Sequence, residues 1–159
     1  LYSEGTQHFD DGLGADTALA CDFIIASEHA HFSWSYIHRG IIPDGGGMYF
    51  LPRRVGLSKA KELIFTGRRV EADEALALGI VDRKTSAGQL LADAQAWAAE
   101  LSQGSATALA LGKTILNQSF ELSAQQVFAQ GSQAQGICYT STEHRESVMA
   151  FLAKSAAKE

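Results

Sequence analysis

The chain has 159 residues, 46% of them hydrophobic, enough for one domain with a real core or for one domain plus an appendage. Its formal net charge of −5 and the scatter of its basic residues argue against a nucleic-acid partner, which asks for a basic stripe. No apolar run reaches the roughly 20 residues of a transmembrane helix, the start is unlike a signal peptide, and Cys21 and Cys138 read as reduced thiols, so a cytoplasmic protein with no membrane partner is expected.

Residues Leu1 to Asp11 are polar and lack a period, and two acids stand directly against Gly12. Gly12-Leu13-Gly14 then opens a run of small apolar residues, the pattern of a tight turn into a buried helix. At such a start several backbone N–H groups have no intrahelical partner and carry the positive end of the helix dipole, so they can hold an anion or a developing oxyanion. A buried helix start is normally fed by an apolar strand, and none is visible here, so a break in the chain between Asp11 and Gly12 is expected.

Phe23 to Ala26 reads as a short strand, Ser27-Glu28 as a turn, Ala30 to Ser33 as another strand piece, and Trp34 to Arg39 as one helical turn before Gly40. Ile41-Ile42-Pro43-Asp44-Gly45-Gly46-Gly47 follows. Three successive glycines would each cost a helix interior about 1 kcal/mol relative to alanine, so they point instead to unusual dihedrals or to close approach of a ligand. This loop is a second candidate site.

Beyond the loop the pattern is helical. Met48 to Leu51 predicts a short turn stopped by Pro52, and Ser58 caps a helix ending at Gly67. Ala72 to Leu78 closes on Gly79, and Ile80-Val81 looks like a strand. Gln89 to Ser102 carries Leu90, Leu91, Ala94, Trp97, Ala98 and Leu101 on one face. Ser105 caps the next helix, Ser123 with Gln126 forms a capping box for another, and a last helix runs from Glu143 to Lys154. His29-x-His31 with nearby His38 lacks further ligands at metal-binding spacing, so no metal is expected.

The segments GLGADTALACDFIIASEHAHF, RGIIPDGGGMYFLPRRVG and ELIFTGRRVEADEALALGIVD, with the closing EHRESVMAFLAK, resemble the enoyl-CoA hydratase/isomerase family, the crotonase superfamily. The resemblance implies an α/β fold: a crotonase-like spiral of ββα units, its front part absent from this sequence, then a helical C-terminal region for trimerisation. The expected division is 1–85 for the later part of the core and 86–159 for the helices. It also implies an acyl-CoA substrate, coenzyme A entering only as part of the thioester with no tightly bound cofactor, and a homotrimer or dimer of trimers.

By the same resemblance the Leu13 N–H is one of two donors to an enolate-like thioester oxygen, and Gly12 and Gly14 on either side of it are expected coenzyme A-binding positions. The second donor belongs to a segment earlier than anything matched here. Phe151 and Lys154 lie where the family's last helix approaches coenzyme A. Hydratases of the family use two glutamates on water; the matching positions here are Asp16 and Tyr36, and a phenol with a pKa near 10 is a poor base at neutral pH. Ile42-Pro43-Asp44 is similar to the isomerase arrangement, in which one carboxylate moves a proton along the acyl chain. The expectation is therefore enoyl-CoA isomerisation through Asp44. Hydration by Asp16 and water, and a catalytically silent trimeric acyl-CoA-binding protein, are the alternatives.

Overall fold

The structure is a computed structural model that describes residues 2–3 and 11–156. The chain divides into two compact units, 1–97 and 98–159.

In the first unit, strand β1 (Tyr2–Ser3) pairs in parallel with β2 (Ile25–Ser27), which pairs in parallel with β5 (Arg83–Thr85). Strand β3 (His31–Phe32) pairs antiparallel with β4 (Val70–Glu71), setting Phe32 opposite Val70. Helix α1 (Leu13–Leu19) enters before β2, a 3₁₀ turn (Ser35–Arg39) follows β3, and α2 (Gly47–Val55), α3 (Leu57–Thr66) and α4 (Ala72–Leu78) complete the layer. Ala15, Leu19, Ile24, Phe32, Trp34, Leu51, Leu63, Val70, Ile80 and Val81 form one buried cluster. The small side chains of α1 let it lie against this cluster, burying Ala15, Ala18 and Leu19.

Several boundaries differ from the sequence reading. Asp11, directly before the turn at Gly12, forms a parallel bridge to Ser33. Pro52 does not stop a helix: α2 continues through it to Val55, anchored by fully buried Leu51. Ser58 lies inside α3, whose N-cap is Gly56 at φ 78°. Ile80 and Val81 are buried but lie outside any strand, and the strand forms three residues later at the sheet's edge.

Helix α5 (Leu90–Leu101) leaves the first unit after Trp97, whose ring lies 5.0 Å from that of Phe23 with the Arg83 guanidinium 4.0 Å from its centroid. The second unit contains α6 (Ala106–Gln118), α7 (Ala124–Thr140) and α8 (Thr142–Ala156). Ser105 caps α6, and Ser123 with Gln126 makes the expected capping box on α7. None of the described side chains of this unit is buried.

Candidate active site

Gly12 turns the chain into α1 with φ 58° and ψ −120°, a conformation that glycine adopts without a Cβ penalty. Its N–H donates to the Ser33 carbonyl at 2.9 Å, and a Cβ added there would lie 3.7 Å from the Tyr36 ring. The Gly14 amide donates to the Asp11 carbonyl at 3.2 Å and that of Asp16 to Gly12 at 3.1 Å. No described residue accepts from the Leu13 amide, which remains available at the positive end of α1. Among the described residues the N–H named in the sequence reading is thus left without an acceptor.

Asp16 is fully buried. Trp34 Nε1 donates to its Oδ1 at 2.9 Å, and the Tyr36 hydroxyl donates to its Oδ2 at 3.0 Å. The Tyr36 pKa is pushed up to about 12, first by burial of the phenol, then by its hydrogen bond to Asp16 and the charges of Asp16 and Asp44. At neutral pH the phenol is therefore neutral and donating. Nothing in the sequence pattern announced this Trp34–Asp16–Tyr36 arrangement; it depends on how the segment after β3 folds over α1.

The glycine loop closes the same corner. Gly46 takes φ 110°, which only glycine adopts freely, and begins α2. Its neighbours serve by lacking side chains: a Cβ on Gly45 would come within 2.5 Å of Leu13 Cδ1 and 2.9 Å of Asp16 Oδ2, and one on Gly47 would run into Asp16 Oδ1. Asp44, between buried Pro43 and Gly45, is exposed and has no hydrogen-bond or ion-pair partner among the described residues. Its charge still reaches Tyr36.

The structure thus brings Gly12, Leu13, Gly14, Asp16, Tyr36 and Asp44 to one corner of the first unit. Phe151, 69% exposed, and Lys154, also exposed, belong to α8 in the second unit. Among the described residues no group of three or more His, Cys, Asp or Glu side chains could hold a metal ion, and no helix is long and apolar enough to cross a membrane. Chemically, the described residues of the corner offer the Leu13 N–H and the exposed Asp44 carboxylate, with the Asp16 carboxylate locked away from solvent.

The profile of the Enoyl-CoA hydratase/isomerase family matches residues 10–158. The short-chain-enoyl-CoA hydratase of Clostridium acetobutylicum is 33% identical over 143 residues, covering 90% of this chain and 55% of that protein. The crotonyl-CoA hydratase of Syntrophomonas wolfei is 32% identical over 143 residues, with the same two coverages. A solved enoyl-CoA hydratase/isomerase from Cupriavidus metallidurans CH34 superposes with a TM-score of 0.87 at 38% identity, covering 91% of this chain and 55% of that one. The chain therefore spans about half the length of the relatives it matches. With its α/β core, its helical second unit and this agreement in sequence and fold, the chain belongs to the enoyl-CoA hydratase/isomerase family, the crotonase superfamily.

Proposed function

We propose that this chain forms part of an acyl-CoA enzyme that shifts a carbon–carbon double bond along the acyl chain. Asp44 takes a proton from the carbon between the thioester and the double bond of a 3-enoyl-CoA. The electron pair delocalises onto the thioester oxygen, where the Leu13 N–H stabilises it. The proton returns at the far end of the conjugated system and leaves the 2-enoyl-CoA, so atoms and charge balance without water. A preorganised N–H at a developing oxyanion is worth about 3–4 kcal/mol when a single donor of this type is removed from other enzymes.

The observation that carries this reading is the contrast between the carboxylates: Asp16 is fully buried with both oxygens accepting hydrogen bonds, whereas Asp44 is exposed and unpartnered among the described residues. Asp44→Ala in the purified protein tests it. Loss of a positioned acid–base group lowers 3-enoyl-CoA turnover by roughly 100-fold or more; turnover at the wild-type rate refutes the assignment.

Hydration is the second reading, favoured by the names of the relatives from Clostridium acetobutylicum and Syntrophomonas wolfei. It requires a carboxylate that reaches water, and the engaged state of Asp16 counts against that residue. Water addition to a 2-enoyl-CoA, measured beside isomerisation of the 3-enoyl-CoA, separates the two. The proposal also includes assembly with further copies, supported by exposed apolar side chains of the second unit, such as Phe128 and Met149 on its helices and Phe120 in the turn between α6 and α7.

A further inference from the structure

We propose that Asp16 is a positioning residue whose buried carboxylate sets the spacing between the Leu13 amide and Asp44 by gripping the Trp34 indole, the Tyr36 phenol and the glycine backbone that follows Asp44. The inference rests on the reading of Asp44 as the base and deepens it. Asp16 stands three residues after Leu13 on the same short helix, so whatever packs on Asp16 is referenced to the Leu13 amide. Gly45 and Gly47 approach Asp16 so closely that neither has room for a Cβ, which places the backbone just beyond Asp44 directly on the carboxylate. Trp34, with no solvent exposure, closes one side and Tyr36 the other.

The chemistry of the anchor separates it from ordinary core packing. A buried carboxylate is costly unless compensated, and here both compensating donors are neutral, an indole N–H and a phenol O–H, with no cation paired to it among the described residues. An apolar residue would fill the same space at lower cost to stability. What an apolar residue cannot do is fix two donors and a loop in one orientation. Tyr36 adds a link, since its ring lies against Gly12 at the entry to the Leu13 turn while its hydroxyl holds Asp16 and it lies within the field of Asp44.

The test is a mutant cycle on the purified protein. Asp16→Asn keeps the shape but cannot accept from both donors, and Tyr36→Phe keeps the ring but removes the hydroxyl. Each is expected to lower kcat for 3-enoyl-CoA by roughly 10- to 100-fold, the scale of a small misplacement of reacting groups. KM should stay within about twofold of the wild type, because the substrate-binding surface is untouched. The double variant should be no slower than the worse single one, since both changes break the same bond. The Cζ resonance of Tyr36, assigned with Tyr36→Phe, should titrate near 12 in the wild type and at lower pH in Asp16→Asn. Wild-type kcat in Asp16→Asn, multiplicative losses in the double variant, or an unmoved Tyr36 titration each overturns the positioning role. Should Asp16→Asn fail to fold, Tyr36→Phe and Trp34→Phe, which leave the carboxylate in place, decide the question by the same split between kcat and KM. Full turnover in Asp44→Asn overturns the base assignment and this inference together; an inactive Asp44→Asn beside a fully active Asp16→Asn overturns this inference alone.

Discussion

Arg54 and Asp82 join the two ends of the core: the Arg54 Nη1 lies 3.3 Å from Asp82 Oδ2, and that same oxygen accepts from the Ile24 amide at 2.7 Å. The other prong of the guanidinium, Nη2, donates to the carbonyls of Cys21 and Asp22 at 3.2 Å, and Nη1 also reaches the Ile80 carbonyl at 3.3 Å. One planar fork thus ties the loop after α1 to the segment that feeds β5. Arg54→Ala strips donors from the half-buried carbonyls of Cys21 and Ile80 and is expected to destabilise the first unit by about 2–3 kcal/mol. Arg54→Lys recovers less than half of that, because an ammonium cannot reproduce the fork. Chemical denaturation should show a lower midpoint with an unchanged slope.

Gly47→Ala should be among the most damaging small substitutions in the chain. The added Cβ has no space beside Asp16, so either the loop or the carboxylate moves. Overpacking of this kind costs about 1–3 kcal/mol, and turnover should fall further than stability alone accounts for. Gly112→Ala is the contrast: in the interior of α6 an added Cβ meets nothing within 4 Å. It should stabilise that helix by roughly 0.5–1 kcal/mol. Thermal unfolding of the two variants checks both signs.

Acid should weaken the first unit through the α3–α4 ion pairs. Arg68 lies 2.5 Å from Glu62 and 2.6 Å from Glu74. Hydrogen bonds from Arg68 and then Lys59 hold the Glu62 pKa down at about 2, and Arg68 lowers that of Glu74. Because the folded-state values are depressed, the stability they contribute is present above the ordinary glutamate value of 4.5 and is lost as pH falls toward 2. The carboxylates are more than a third exposed, so the effect is screened and should shrink in salt. Melting temperature followed from neutral to acid pH should fall more steeply in the wild type than in Arg68→Met, with the difference reduced at high ionic strength.

Ser123→Ala removes one side of the capping box on α7, in which Ser123 Oγ accepts from the Gln126 amide at 3.3 Å and Gln126 Oε1 accepts from the Ser123 amide at 2.9 Å. The expected loss is about 1 kcal/mol, read as reduced helicity and earlier melting of the second unit.

What could be read from sequence tracks the range of the interaction involved. The caps at Ser105 and Ser123 and the helix stops at Gly67 and Gly79 are local, and they form as the sequence pattern predicts. The turn at Gly12 and the unusual dihedral at Gly46 were visible for the same reason, whereas the close approach of Gly45 and Gly47 is to the Asp16 side chain, a distant segment. Pro52 misled because burial of Leu51 outweighs one missing amide, and Ser58 misled because Gly56, in a conformation foreign to other residues, begins the helix two positions earlier. Strand β5 was displaced in the reading because an edge strand with exposed Arg83 and Lys84 carries no apolar signature. At the site, Asp16 and Asp44 were both visible as carboxylates. What separates them, burial under Trp34 and Tyr36, arises only when the chain folds back and so leaves no local trace.

The Asp16 corner is also short in chain terms. Its hydrogen bonds to Trp34 and Tyr36 span 18 and 20 residues, whereas the Ile24–Asp82 bond that secures the sheet spans 58. Closing the longer loop costs about 1 kcal/mol more chain entropy than closing the shorter ones. The corner therefore needs little of the remaining fold to assemble, and in partial unfolding it should outlast the junction at β5. Native-state hydrogen exchange would register this as slower exchange at the indole of Trp34 than at the backbone amide of Ile24. The order of folding would then run outward from the Asp16 corner, with the sheet edge closing last.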